Sequence, residues 1–126
     1  MTSIIAKYII ITILFILLDL IWFQYSGGMY NQTVSKIQGS KLALNIPAAL
    51  ITWFILSIGV NSFVDLNANI LSRFATGALL GGVVYGVFNG TNKAIFEDYD
   101  TTTALYDTAW GMFVTGTVSA AAGLFV

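Results

Sequence analysis

The chain alternates between four long apolar stretches and short polar segments. The apolar stretches run approximately over residues 4–25, 46–64, 70–92 and 102–126. A helix needs roughly 20 apolar residues to cross the hydrocarbon layer of a bilayer, so each stretch is long enough for one span. The pattern predicts an all-α integral membrane four-helix bundle in up-down-up-down order, with residues 1–126 forming a single transmembrane domain.

Three polar segments connect the predicted spans. The first, over residues 26–45, is long enough to hold a short interfacial helix, because apolar residues recur in it at roughly helical spacing. These residues are Tyr30, Val34, Ile37 and Leu44. An irregular loop is the alternative. The basic residues divide three to two between the two sides of the bundle, so the positive-inside rule predicts no orientation.

Composition supports the membrane interpretation and excludes several kinds of chemistry. Of the 126 residues, 57% are hydrophobic and 9% are charged, and a chain of this size cannot bury so much apolar surface in one core. The chain has no cysteine and no histidine, which removes disulfides, thiolate metal sites and the commonest general base. We therefore expect no metal site and no cofactor. The net charge of −1 gives no support to a nucleic-acid partner, and the lipid bilayer is the expected one.

Two carboxylates lie inside the predicted spans. Asp19 interrupts the first span and Asp107 interrupts the fourth. Each is followed three residues later by a tryptophan, Trp22 or Trp110, which places carboxyl and indole groups on neighbouring positions of one helix face. An Asp at the centre of a membrane helix costs on the order of 3 kcal/mol, so each residue needs a partner or a role.

The predicted topology brings these carboxylates to one end of the bundle. The end of the first span, the end of the third and the start of the fourth share one side, and both Asp residues lie roughly 8–9 Å below that interface at 1.5 Å per residue. The third span adds polar side chains at spacings of four and three. The ligand-binding candidates are Asp19, Trp22, Tyr85, Asn89, Asn92, Asp107 and Trp110. Available counter-charges on this side are Lys36, Lys41 and Lys93.

Small residues predict a close contact between the third and fourth helices. Gly82, Gly86 and Gly90 recur every four residues on the third helix, and Gly111 begins a comparable series on the fourth. Such series let helix backbones approach closely in lipid. The second helix, with few polar residues in its interior, is expected to act mainly as a packing wall.

Three segments resemble a known family. They are Asp19-Leu20-Ile21-Trp22, Tyr85-Gly86-Val87-Phe88-Asn89-Gly90-Thr91-Asn92 and Asp107-Thr108-Ala109-Trp110-Gly111. Their order and spacing resemble the domain of unknown function 2177 family of small bacterial membrane proteins, over nearly the whole chain. The resemblance implies a four-span fold without an assigned activity. Asn89 stands where many members carry Asp, and relatives occur in large DNA viruses, so a bacterial inner membrane or a host or virion membrane is the implied location.

Three functions remain open at this level. The polar site could bind or transport a small solute, a lipid head group or a proton, with a homo-oligomer or another membrane protein completing a pathway. Alternatively, the polar groups and glycines only hold the helices together, as in a structural protein of a cellular or viral membrane. A lipid-modifying enzyme using Asp19 or Asp107 with Tyr85 has the least support, and no catalytic residue is assigned, because the chain contains no phosphate loop or nucleophile elbow.

Overall fold

The computed structural model describes residues 3–126, and within them the chain forms four long helices. These are α1 (Ile4–Gln38), α2 (Ile46–Phe63), α3 (Ile70–Ile95) and α4 (Thr101–Ala122), followed by a short 3-10 turn at Gly123–Phe125. All four helices are long and apolar enough to cross a membrane. The predicted all-α four-helix bundle is therefore confirmed.

Local sequence signals determine where the helices begin. A side-chain oxygen at each N-cap accepts a hydrogen bond from the backbone amide three residues later, which satisfies one of the free amides of the first turn. The N-cap residues are Ser3, Asn45, Asn69 and Asp100. Pro47 lies in the first turn of α2, where its missing amide hydrogen costs no helical hydrogen bond.

Helix α1 is longer than the sequence pattern predicts. The pattern allows an interfacial helix or a loop over residues 26–38, but these residues continue α1 without interruption. The helix ends at Gln38 and is capped by Gly39, whose φ of 75° is left-handed. The drop in hydrophobicity after Tyr25 therefore does not mark the end of the helix. At 1.5 Å per residue, the 35 residues of α1 extend about 52 Å, well beyond the roughly 30 Å of the hydrocarbon layer.

Contacts between helices establish an antiparallel order. The hydroxyls of Thr33 on α1 and Thr103 on α4 lie 2.9 Å apart at what we call the upper end, where α1 and α3 end and α2 and α4 begin. At the opposite, lower end, the Ser57 hydroxyl of α2 donates to the Tyr8 carbonyl of α1 at 2.9 Å. Between the two ends lies an apolar core of fully buried side chains. Its members include Ile11, Phe15, Val60, Val114 and Val118.

Helices α3 and α4 form the most extensive helix pair. Their closest approach involves Gly77 and Gly81 of α3, where an added methyl group would overlap Ser119 or the Gly111 carbonyl of α4. The predicted glycine series on α3 is offset by one residue from the row of Gly77 and Gly81 that contacts α4. A methyl group added at Gly82 would meet only the Met112 side chain, and one added at Gly86 or Gly90 would enter nearly open space.

The reason for this offset is the rotation of α3 about its axis. Gly77, Gly81 and Asn89 belong to one row at i, i+4 spacing, and Asn89 hydrogen-bonds Asp107 of α4. The row that contains Gly82, Gly86 and Gly90 is turned by about 100° from it, one residue further around the helix. The glycine contact and the polar contact with α4 therefore share one face of α3.

Candidate polar site and adjoining cleft

Asp19 joins three helices through two hydrogen bonds. The indole Nε1 of Trp53 on α2 donates to Oδ2 at 2.7 Å, and the indole Nε1 of Trp110 on α4 donates to Oδ1 at 2.7 Å. The side chain is buried, with 7% of its surface exposed. An indole N–H can donate but cannot accept, so this environment suits a carboxylate and offers no acceptor for a carboxylic proton.

Asp107 has a similar environment built from other residues. The Tyr30 hydroxyl of α1 donates to its Oδ1 at 2.5 Å, and Nδ2 of Asn89 donates to its Oδ2 at 2.6 Å. The Tyr30 hydroxyl itself accepts from the Trp22 indole at 3.0 Å, which leaves its own proton for Asp107. Both oxygens of this carboxyl group are therefore hydrogen-bonded by donors, as they are in Asp19.

The connection between α3 and α4 orients Asn89. The buried Tyr99 hydroxyl donates to Oδ1 of Asn89 at 2.6 Å. This bond identifies which atom of the amide is the oxygen, and it leaves Nδ2 directed toward Asp107. Burial raises the pKa of Tyr99, so its hydroxyl stays protonated and available to donate. Asn92 lies beside this hydroxyl, and Lys93 donates to the Tyr99 carbonyl at 2.8 Å.

A tryptophan stack joins the two carboxylate environments. The rings of Trp22 and Trp110 lie 4.7 Å apart with an interplanar angle of 5°. Trp22 hydrogen-bonds the Tyr30 hydroxyl, which bonds Asp107, and Trp110 hydrogen-bonds Asp19. The stacked rings therefore connect both carboxylates and their partners into one set of residues, which we call the upper network. Its members are Asp19, Trp22, Tyr30, Trp53, Asn89, Tyr99, Asp107 and Trp110.

A cleft of about 580 Å³ adjoins the upper network, and residues from all four helices line it. Its walls are mainly apolar side chains such as Leu56, Val84 and Phe88. Polar groups reach it from Tyr30, Thr33, Gln38, Thr52, Tyr85, Asn92, Tyr99, Thr103 and Asp107, whereas Asp19 does not line it. Among residues 3–126, the Tyr85 hydroxyl has no hydrogen-bond partner, so it is available to a bound molecule.

The structure rearranges the predicted site. Asp19, Trp22, Asn89, Asp107 and Trp110 all join the upper network, and the other two candidates, Tyr85 and Asn92, line the cleft. Among residues 3–126, neither tryptophan bonds the carboxylate of its own Asp-x-x-Trp segment. The indole of each helix instead bonds a group on another segment: Trp110 bonds Asp19, and Trp22 bonds Tyr30.

The two carboxylates contact different parts of α1, since Asp19 belongs to this helix and Asp107 bonds it from α4. Asp107 meets α1 at Tyr30, eleven residues beyond Asp19, because α1 continues past the predicted end of the first span. Lys36, Lys41 and Lys93 do not provide the expected counter-charges. Within the described part of the chain, no basic side chain forms an ion pair with either carboxylate.

Three members of the upper network lie outside the predicted site. The apolar pattern places Tyr30 in a connection, although Trp22, Ser26 and Tyr30 continue one helical stripe at spacings of four, which signals an unbroken helix. Trp53 lies on the helix expected to be a packing wall, although a buried indole N–H normally needs an acceptor. Helix α2 is therefore more than a packing wall. Tyr99, in an acidic connection, carries no signal of burial.

Two carboxylates and several amides and hydroxyls limit the chemistry of this site. In residues 3–126, no three carboxylate side chains come together in a group able to hold a metal ion. The arrangement provides negative charge, hydrogen-bond acceptors and aromatic rings next to an apolar cleft. These features suit the binding of a molecule that has both a polar and an apolar part.

Taken together, four apolar spans and a buried polar network define a small multi-pass membrane protein. The sequence model of the domain of unknown function 2177 (DUF2177) family, described as a predicted membrane protein, matches residues 4–124, and the chain belongs to this family. This confirms the resemblance seen in the three sequence segments. No curated protein and no solved structure matches the chain.

Proposed function

We propose that this protein binds one amphiphilic small molecule, with the apolar part in the cleft and the polar head against the upper network. The observation that carries this proposal is that Asp107 and Tyr85 line a cleft whose walls are mainly apolar side chains. A volume of about 580 Å³ is within the range of roughly 300–1,000 Å³ that is usual for small-molecule sites.

The position of the cleft supports access from the bilayer. Its rim includes Phe23, Val84 and Phe88, which are 39%, 42% and 57% exposed on the outer surface of the bundle. In a membrane protein, such side chains face lipid, so a lipid-dissolved molecule reaches the cleft without crossing water. Ionisable residues inside membrane helices usually mark substrate or ion sites, which agrees with a ligand near Asp107.

Filling the cleft should weaken this binding. We expect Val84→Trp to lower the affinity for a dodecyl amphiphile about tenfold or more, since a loss of about 1.4 kcal/mol of binding free energy has that effect. The measurement is photo-crosslinking of a dodecyl alcohol that carries a mid-chain diazirine, with the protein in lipid nanodiscs. Labelling should concentrate on residues that line the cleft.

Val83→Trp is the matched control. Val83 is 56% exposed and adjacent to Val84, but it does not line the cleft, so the same substitution there should leave labelling unchanged. Equal labelling of the wild-type protein and both variants, or labelling spread over the lipid-facing surface, would argue against the proposal.

A structural role is the second candidate, because each carboxylate of the upper network connects separate helices. Asp19 alone joins α1 to α2 and α4. A purely structural protein should show no labelling of the cleft in its wild-type form, and the Val84→Trp variant should then behave as the wild type does. Homo-oligomerisation, transport and the identity of the membrane stay predictions.

A further inference from the structure

We infer that the amphiphile carries a protonated amine, so that an ammonium head group binds beside Asp107. This inference rests on the proposed function, since it specifies the chemistry of the molecule in the same cleft. It follows from three features of the site: the charge of the upper network, the unused acceptors around Asp107, and the aromatic residues that surround them.

The first feature is uncompensated negative charge. Among residues 3–126, all four bonds to the carboxyl oxygens of Asp19 and Asp107 come from donors, which is the arrangement that the acceptor-only carboxylate requires. Over residues 3–126, neither carboxylate has a cationic partner. The buried Arg73 lies at the lower end, where its guanidinium donates to the Ala68 and Ala120 carbonyls. A cation in the cleft would compensate the charge of Asp107, which lines it.

The second feature is unused acceptor capacity on residues that line the cleft. The two oxygens of a carboxylate can accept about four hydrogen bonds, and those of Asp107 receive one each from protein groups. The oxygen of the unpartnered Tyr85 hydroxyl is a further acceptor, on a residue that lines the cleft. Three N–H donors on one ammonium group match this set, whereas a carboxylate or phosphate head would be repelled by Asp107.

The third feature is the aromatic surface around the polar end. The rings of Tyr30, Tyr85, Phe88 and Tyr99 all line the cleft. Aromatic faces attract ammonium groups through the negative charge density above the ring, and this attraction strengthens where water is excluded. A neutral hydroxyl head could use the same hydrogen bonds, but it would gain neither this attraction nor the charge compensation.

Competition among three matched amphiphiles tests the inference. Dodecylamine, dodecanol and dodecanoate are added in turn to the diazirine probe, with the protein in phosphatidylglycerol nanodiscs that contain no amino lipid. We expect dodecylamine to displace the probe at about a tenfold lower concentration than dodecanol, a difference of about 1.4 kcal/mol. Dodecanoate should be the weakest competitor.

Two single lysine substitutions distinguish an effect of charge in the cleft from an effect of charge on the protein surface. Thr52 is exposed and lines the cleft, so Thr52→Lys places a competing ammonium group there without disturbing the upper network. This variant should lose the preference for dodecylamine and gain affinity for dodecanoate. Gln32→Lys adds the same charge on exposed α1 surface outside the cleft and should keep the wild-type preference.

The outcomes distinguish the inference from the function on which it rests. If the three competitors displace the probe equally from the wild-type protein, the ammonium inference is overturned while amphiphile binding stands. The inference also fails if Gln32→Lys changes head-group preference as much as Thr52→Lys does. If no competitor displaces the probe from the cleft, both proposals fail.

Discussion

Asp19→Asn is expected to destabilise the bundle by about 2 kcal/mol, although the two side chains have nearly the same shape. Both carboxyl oxygens of Asp19 accept from indole donors, whereas an amide offers one oxygen and one NH2 group. One indole N–H must then face an amide N–H, and a buried donor without an acceptor costs roughly 1–3 kcal/mol. The measurement is the free energy of unfolding in mixed micelles, followed by circular dichroism.

A second substitution isolates this cause. Trp53→Phe removes one of the two indole donors to residue 19. In the Asp19→Asn, Trp53→Phe double variant, the NH2 group of the introduced asparagine therefore no longer faces the indole N–H of residue 53. The double variant should therefore lose about 1 kcal/mol less than the sum of the two single losses. Asp65→Asn, in the exposed α2–α3 connection, is the control for removing a charge. Unchanged stability of Asp19→Asn would contradict the donor-only environment of this carboxylate.

The number and order of the helices could be predicted because the bilayer imposes a simple condition on the sequence. A chain can cross hydrocarbon only if its backbone is fully hydrogen-bonded, so an apolar stretch of sufficient length must be a helix. The requirement for a fully hydrogen-bonded backbone identifies the segments that lie in lipid, but it does not constrain the chain outside the hydrocarbon layer. The extension of α1 to Gln38 could be inferred only from the polar stripe that includes Trp22, Ser26 and Tyr30, a weaker signal than apolar length.

Helix rotation could not be predicted from one sequence for a related reason. α3 carries two glycine rows, one through Gly77 and Gly81 and one through Gly82, Gly86 and Gly90, and both satisfy the pattern for close packing. The choice between them depends on side chains of another helix, since Asn89 can reach Asp107 only when the first row faces α4. The polar candidates could be predicted because the free-energy cost of placing a polar side chain in lipid depends on the residue type alone. Their hydrogen-bond partners could not, because these depend on how each helix is rotated about its axis.

Gly81→Ala should destabilise the bundle whereas Gly90→Ala should not, and this difference tests the rotation of α3 directly. A methyl group at Gly81 would overlap the backbone carbonyl of Gly111, and backbone cannot move aside as a flexible side chain can. The two helices must then separate, at a cost of about 1–3 kcal/mol typical of overpacking, and the Asn89–Asp107 bond at 2.6 Å would lengthen. Unfolding in mixed micelles measures the loss of stability.

Gly90→Ala is the matched substitution on the other row. No atom lies within 4 Å of a methyl group added at Gly90, so nothing opposes the change, and alanine favours a helix over glycine by about 1 kcal/mol. This variant should be as stable as the wild type or more stable, with its cleft labelling retained. The reverse order, with Gly81→Ala tolerated and Gly90→Ala destabilising, would mean that the row of Gly82, Gly86 and Gly90 faces α4. Asn89 would then be turned away from Asp107, and the upper network could not form.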